Sequence, residues 1–90
     1  MIIRIFGSNK CKHCLRMMST LKNANVTFTY VDAMAPENQN ECDKHAVQAL
    51  PHLQIMTKSG MMLVEHMGEL EDDFLLRLVT VADTICADEE

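Results

Sequence analysis

Apolar and polar positions change their period several times along the chain, and each change marks an element. Ile2-Ile3-Arg4-Ile5-Phe6 is rich in β-branched residues and halts at Gly7-Ser8-Asn9, which predicts a buried strand running into a loop. From Cys11 onward, Cys14, Leu15, Met18 and Leu21 recur at three- and four-residue steps. That spacing predicts an amphipathic helix ending near Asn23-Ala24-Asn25, with the cysteines in its first turn. Between Val26 and Val31 large apolar side chains alternate with threonines up to Asp32, the pattern of a second strand. Strand, helix and strand make a parallel crossover unit.

Pro36 and Glu37 then suit the first turn of a polar helix reaching to about Val47. Leu50-Pro51-His52 leads into Leu53-Gln54-Ile55-Met56, a turn at Thr57-Lys58-Ser59-Gly60, and a second arm from Met61 to His66, which together read as a β-hairpin. Beyond Gly68 the acids from Glu69 to Asp73 fill an expected first helical turn. Phe74, Leu75, Leu78, Ala82 and Ile85 give that last helix its apolar stripe. The order βαβ-α-ββα predicts an α/β fold with a four-stranded mixed sheet flanked by helices, as one domain over residues 1–90.

Composition narrows what such a domain does. Hydrophobic residues at 48% against 23% charged supply enough apolar surface for one core and argue against disorder. With aromatics at 4% and eight methionines, thioethers are expected to fill much of that core, Met17, Met18, Met61, Met62 and Met67 included. A formal charge of −5 offers no basic face for nucleic acid or an anionic membrane. The acids gather at 69–73 and at Asp88-Glu89-Glu90, the latter read as a solvated end. No apolar run approaches the roughly 20 residues of a membrane span. The opening segment is too short for a signal-peptide core, so a cytoplasmic monomer is expected.

Four cysteines would suit a disulfide scaffold only in a secreted chain. In a reducing compartment the C-x-x-C spacing of Cys11 and Cys14 indicates redox chemistry or a metal. Cys11, at a helix start, meets unpaired amide donors and the positive helix end, which favour its thiolate. Lys10, Lys12 and His13 add positive charge. Cys11 is therefore the expected nucleophile and Cys14, one turn inside, the resolving thiol. A stabilised thiolate makes the couple oxidising, at about −180 to −230 mV. The rival reading is a structural zinc module, since Cys42 and His45 are spaced C-x-x-H and complete four ligands with the first pair. Otherwise Cys42 is a small buried hydrophobe and Cys86 a structural residue. Asp32 is open to two roles, proton transfer to Cys14 or capping of the helical segment after it.

Cys11-Lys12-His13-Cys14, the placement of Pro51 after the second helix, and His66-Met67-Gly68-Glu69-Leu70-Glu71-Asp72 resemble the glutaredoxin family over nearly the whole chain. The resemblance implies a thioredoxin-like, glutaredoxin-type fold and disulfide exchange with glutathione or protein disulfides, with no tightly bound cofactor. It implies a cis Pro51 facing the cysteines, with the edge there free for a substrate strand. It also implies glutathione contacts from Gly68, Leu70 and Glu71, from the backbone of Leu50, and from Lys10 or Lys12. Some members act like thioredoxins, fed by a flavoprotein reductase, and others share an iron–sulfur cluster through the first cysteine. This chain departs from the family pattern at Lys12 (usually Pro), at Ala49-Leu50 (usually Thr-Val) and at Glu69 (usually Gly). Glu69 stands where an anionic ligand would approach, which favours a protein disulfide.

Overall fold

A computed structural model describes residues 1–89; Glu90 and the side chain of Glu89 lie outside it, and with them the expectation of a solvated acidic end. The elements are β1 (Ile2–Gly7), α1 (Lys12–Asn23), β2 (Thr29–Asp32), a 3-10 turn (Pro36–Asn38), α2 (Gln39–Lys44), β3 (His52–Met56), β4 (Met62–Met67) and α3 (Asp72–Glu89). The sheet runs β2-β1-β3-β4, with β1 parallel to β2 and the other neighbours antiparallel. This is the mixed four-stranded architecture that the pattern predicts.

Two boundaries move, for one physical reason. α1 stops in a Schellman motif: Asn25 takes φ 59°, its N–H bonds the Lys22 carbonyl at 3.0 Å, and the Val26 N–H bonds Leu21 at 2.9 Å. Val26 and Phe28 then pack on the core as partly buried residues, and β2 begins only at Thr29 instead of Val26. α2 ends the same way, with Ala46 at φ 51° and its N–H on Asp43 at 3.2 Å, and the Val47 N–H on Cys42 at 2.9 Å. The expected helix to Val47 is thus a 3-10 turn plus six residues ending at Lys44. At α3, Glu69 to Glu71 precede the helix, so only Asp72 and Asp73 occupy its first turn.

One face of the sheet carries the apolar core. Ile3 and Ile5 from β1 and Leu53 and Ile55 from β3 meet Met17 and Leu21 of α1 and Leu75, Val79 and Ala82 of α3. The stripes lie beside those expected. α1 buries Cys14, Met17 and Leu21 while Leu15 is 48% exposed, and α3 buries Leu75, Val79, Ala82 and Cys86 while Phe74 and Ile85 are exposed. Both helices carry apolar residues on either side of the buried line, so spacing alone admits a stripe one residue over. Nor do methionines fill the core: of the five expected there only Met17 is buried, and Met61 and Met67, in or next to the outer strand β4, are exposed.

The opposite face is polar. Side chains alternate along a strand, so Arg4 and Phe6, His52 and Gln54, and Glu65 all turn toward α2. The register sets Arg4 opposite Gln54 and Gln54 opposite Glu65. Arg4 donates from Nε (2.9 Å) and Nη2 (2.6 Å) to Gln54 Oε1, and from Nη1 to Glu41 Oε2 on α2 at 2.9 Å. Gln54 Nε2 donates to Glu65 Oε2 at 2.9 Å. His52 Nε2 lies 2.8 Å from the same oxygen. Being an ionised acceptor, that oxygen takes the histidine's N–H.

Both carboxyls are held below their ordinary value of 4.5, Glu41 chiefly by the Arg4 hydrogen bond and Glu65 by Gln54 and then His52. An unfolded chain would protonate them first, so the stability they contribute is full above that value and drains as pH falls through the lowered one. The thermal midpoint of the protein should therefore drop on acidification below the ordinary carboxylate range, and that of Glu65→Gln should drop less steeply. Equal slopes in the two proteins would show that Glu65 does not titrate within this network.

Candidate active site

The cysteine pair sits at the junction of β1 and α1. After β1 the chain turns at Ser8, a buried residue whose carbonyl accepts the Cys11 N–H at 3.1 Å and whose hydroxyl accepts the Lys10 N–H at 3.2 Å. Cys11 is the N-cap of α1, extended at φ −93° and ψ 110°, and its sulfur accepts the Cys14 N–H at 3.2 Å. It thereby takes the capping place usual for Ser or Asp. The two cysteines form a disulfide with Cα atoms 5.2 Å apart. Cys14 is fully buried and Cys11 partly open to solvent, the asymmetry that the expected division of labour requires.

Gly7 makes this junction possible. A Cβ there would stand 3.1 Å from both Cβ and Sγ of Cys14 and 3.4 Å from Cε1 of Tyr30. Tyr30 forms part of this wall; loss of water and then the Asp32 carboxylate push its phenol up, so it stays protonated. Asp32 itself accepts the Met34 N–H at 2.9 Å, and its carbonyl accepts from Asn38 Nδ2 at 2.9 Å. Asp32 does not perform the expected capping, since Ala35 is the N-cap of the 3-10 segment and no side chain caps it; its carboxylate bonds the turn before that segment instead. Gly7, Ser8 and Tyr30 were not singled out by sequence; a glycine ending a buried strand before a helix was the available signal.

A second wall comes from distant parts of the chain. The Leu50–Pro51 peptide is cis and Pro51 is buried. Phe6 and His52 form the last pair of β1 with β3, so Gly7 and Pro51, next along their antiparallel segments, leave the sheet at the same end, the cysteine end. The Pro51 carbonyl accepts the Gly68 N–H at 2.7 Å, and Gly68 has φ 100°, a conformation suited to glycine. Among the described residues the N–H and C=O of Leu50 bond no other backbone group. Leu70 packs against the core, and the Glu71 carbonyl accepts the Leu75 N–H at 2.9 Å, starting α3. His13 Nδ1 pairs with Glu69, and Arg16 with Asp72 at 3.4 Å, so two basic side chains near the cysteines are already engaged by acids. Lys10 and Lys12 stand exposed.

The four ligands of the zinc alternative are not brought together. Cys11 and Cys14 are joined, Cys42 is buried under α2, and His45 Nε2 lies 3.1 Å from Arg4 Nη2. Among the described residues no group of three or more His, Cys, Asp or Glu side chains converges on a metal position. Burial, then Asp43 and Glu41, push the Cys42 thiol up, away from the reactive thiolate. Cys86 is buried in α3.

A redox-type C-x-x-C disulfide at a strand–helix junction, beside a cis proline and on this sheet order, belongs to the thioredoxin-like fold, and comparison with solved structures bears this out. Thioredoxin 1 of Thermosipho africanus superposes with a TM-score of 0.74 at 19% identity, covering 94% of this chain and 97% of that one. Oxidised thioredoxin O2 of Arabidopsis thaliana gives 0.66 at 26% identity, over 91% of this chain and 71% of that one. The glutaredoxin-like NrdH-redoxin of Escherichia coli, described as having a thioredoxin-like activity profile, gives 0.63 at 22% identity, over 87% and 95%. No protein-family model matches the sequence, and no curated protein matches it significantly. No described helix is long and apolar enough to cross a membrane.

Cys14 is buried and tied to Cys11, so it cannot retreat from an added methyl group. Gly7→Ala should cost about 1–3 kcal/mol of stability in the oxidised protein. Urea unfolding measures this, and an unchanged midpoint would show that the junction has slack.

Proposed function

We propose that this chain is a thiol–disulfide oxidoreductase of glutaredoxin-like type that acts chiefly on protein disulfides. The observation that carries the reading is the capping sulfur. Cys11, partly exposed, receives the Cys14 N–H at the positive end of α1, while its partner lies buried one turn in. In the reduced protein that amide and the helix end favour the Cys11 thiolate. The thiolate attacks one sulfur of the substrate disulfide, forming a mixed disulfide and expelling the other sulfur as a thiolate. Cys14, losing its proton, then attacks Cys11 Sγ; the internal disulfide forms and the second substrate thiolate departs. Two electrons pass to the substrate, whose thiolates take up two protons. A dithiol or two molecules of a monothiol, supplied by a reductase or by glutathione, must return the pair to its reduced form.

The substrate strand would lie along Leu50 and Pro51, where the Leu50 backbone bonds no other backbone group of the described residues. Charge favours a protein over glutathione. Glu69, Glu71, Asp72 and Asp73 crowd the approach to α3, and Arg16 and His13 are already paired with two of them. Glutathione as co-substrate is the second reading, favoured by exposed Lys10 and Lys12. Gly68, Leu70 and Glu71 would then contribute as the family resemblance implies. A reducing compartment such as the cytoplasm suits either reading.

Reduction of insulin disulfides tests the mechanism: Cys11→Ser should abolish turnover, and Cys14→Ser should accumulate a mixed disulfide visible by mass. Equal residual turnover in both variants would exclude the division of roles. For the substrate class, Glu69→Gln should raise kcat/KM toward a glutathionylated peptide about three- to fivefold, the scale of one exposed charge. No change would mean that the acid does not discriminate among substrates.

A further inference from the structure

The polar face under α2 has an arrangement that stability alone does not explain. Burying polar side chains is costly, and well-packed apolar residues commonly do as well or better. Here Gln54 is fully buried, and His52 is buried with Nδ1 lacking any partner among the described residues. What the network does achieve is spatial. His45 is the C-cap of α2, and His52 is the first residue of β3. Between them lies the segment 46–51 with its cis Leu50–Pro51 peptide.

Both flanking histidines are held by one chain of bonds. Arg4 Nη2 lies 3.1 Å from His45 Nε2, and since arginine only donates, that nitrogen accepts. From Arg4 the bonds run through Gln54 to Glu65, and Glu65 takes the His52 N–H. The two imidazoles also pack on the same ring, with centroids 6.1 Å and 5.4 Å from that of Phe6, and the Arg4 guanidinium lies 5.2 Å above it. Glu41 fastens the helix itself to Arg4. Within the segment Ala46, Val47 and Pro51 make backbone bonds, to Asp43, Cys42 and Gly68, whereas Gln48, Ala49 and Leu50 make none among the described residues and border a pocket of about 180 Å³. Its position is therefore set from its ends.

We propose that Arg4, through Gln54, Glu65 and Glu41, is a positioning residue that pins both ends of segment 46–51 and so holds the Leu50 backbone ready to pair with an extended disulfide substrate. This rests on the oxidoreductase reading for its consequence but not for its mechanics. Arg4 touches neither cysteine, so its loss should weaken substrate binding and spare sulfur exchange.

The test compares the full chain with Arg4→Met, which keeps an unbranched apolar side chain and removes every bond, and Arg4→Lys, which keeps the charge. In Arg4→Met, hydrogen exchange at the Ala46 and Val47 amides, which bond Asp43 and Cys42, should speed at least tenfold while residues 15–22 of α1 exchange as before. KM for insulin should rise about tenfold with kcat unchanged, a split that a general loss of stability would not give. Arg4→Lys should recover part of both effects. Should Arg4→Met fail to fold, Glu41→Gln at the outer end of the network should show both effects in smaller measure. Parental exchange at Ala46 and Val47 in a folded variant, or equal acceleration in α1, would overturn the proposal. A parent protein that reduces no disulfide would instead sink the oxidoreductase reading and leave the exchange result standing.

Discussion

The end of β1 and the start of α1 approach so closely that a methyl group at Gly7 would stand 3.1 Å from both Cβ and Sγ of Cys14. Much else in the site depends on that contact. It drives Cys14 into the wall of the sheet, where it is fully buried, and leaves Cys11 at the helix end as the capping residue. A sulfur there meets a backbone N–H and the positive pole of twelve helical residues, while the second sulfur meets mainly protein. The same sequence neighbours thus acquire opposite exposure and opposite chemistry. Ser8 stabilises the tight turn by accepting two backbone N–H groups in the three residues after it.

The sheet that carries this junction has two unlike faces. Under α1 and α3 it presents isoleucine and leucine, and burial of those side chains, at roughly 1.5–3 kcal/mol each, is the main stabilising term. Under α2 it presents arginine, glutamine, glutamate and histidine around a single phenylalanine. The six-residue α2 has no apolar stripe with which to bury a second core, and Cys42 is its one buried residue. It is held instead by directional bonds from Glu41 and His45 to Arg4. Such bonds fix geometry more sharply than an oily contact does, which suits a short helix standing just before the cis proline.

Strand and helix order, the hairpin and the redox pair were all readable from periodicity and spacing, because each depends on residues near one another in the chain. Helix ends differed in legibility: α1 ends where expected, at Asn23 before a left-handed Asn25, whereas α2 ends early at a left-handed Ala46 that carries no sequence mark. Burial of Val79 and Cys86 in place of Phe74 and Ile85 depended on how α3 rotates against β1 and β3, which no local pattern encodes. Hardest to foresee were pairings across the fold. Arg4 meets Gln54 fifty residues away, and His13 meets Glu69, so two residues expected to act on the thiolate and the ligand separately contact each other. Leu70, expected at a ligand, supports the core.

The functional reading requires Cys11 and Cys14, joined in a disulfide, to form a reversible couple from which the buried Cys42 and Cys86 stay apart. Its most direct test is equilibration of the purified protein in graded glutathione redox buffers at neutral pH, with thiol alkylation, mass mapping and a zinc assay on the same sample. The expected result is one two-electron transition confined to Cys11 and Cys14, near −200 mV on the scale of about −180 to −230 mV typical of such couples, in metal-free protein. Four protected thiols with bound zinc, or oxidation spread over Cys42 and Cys86, would contradict it.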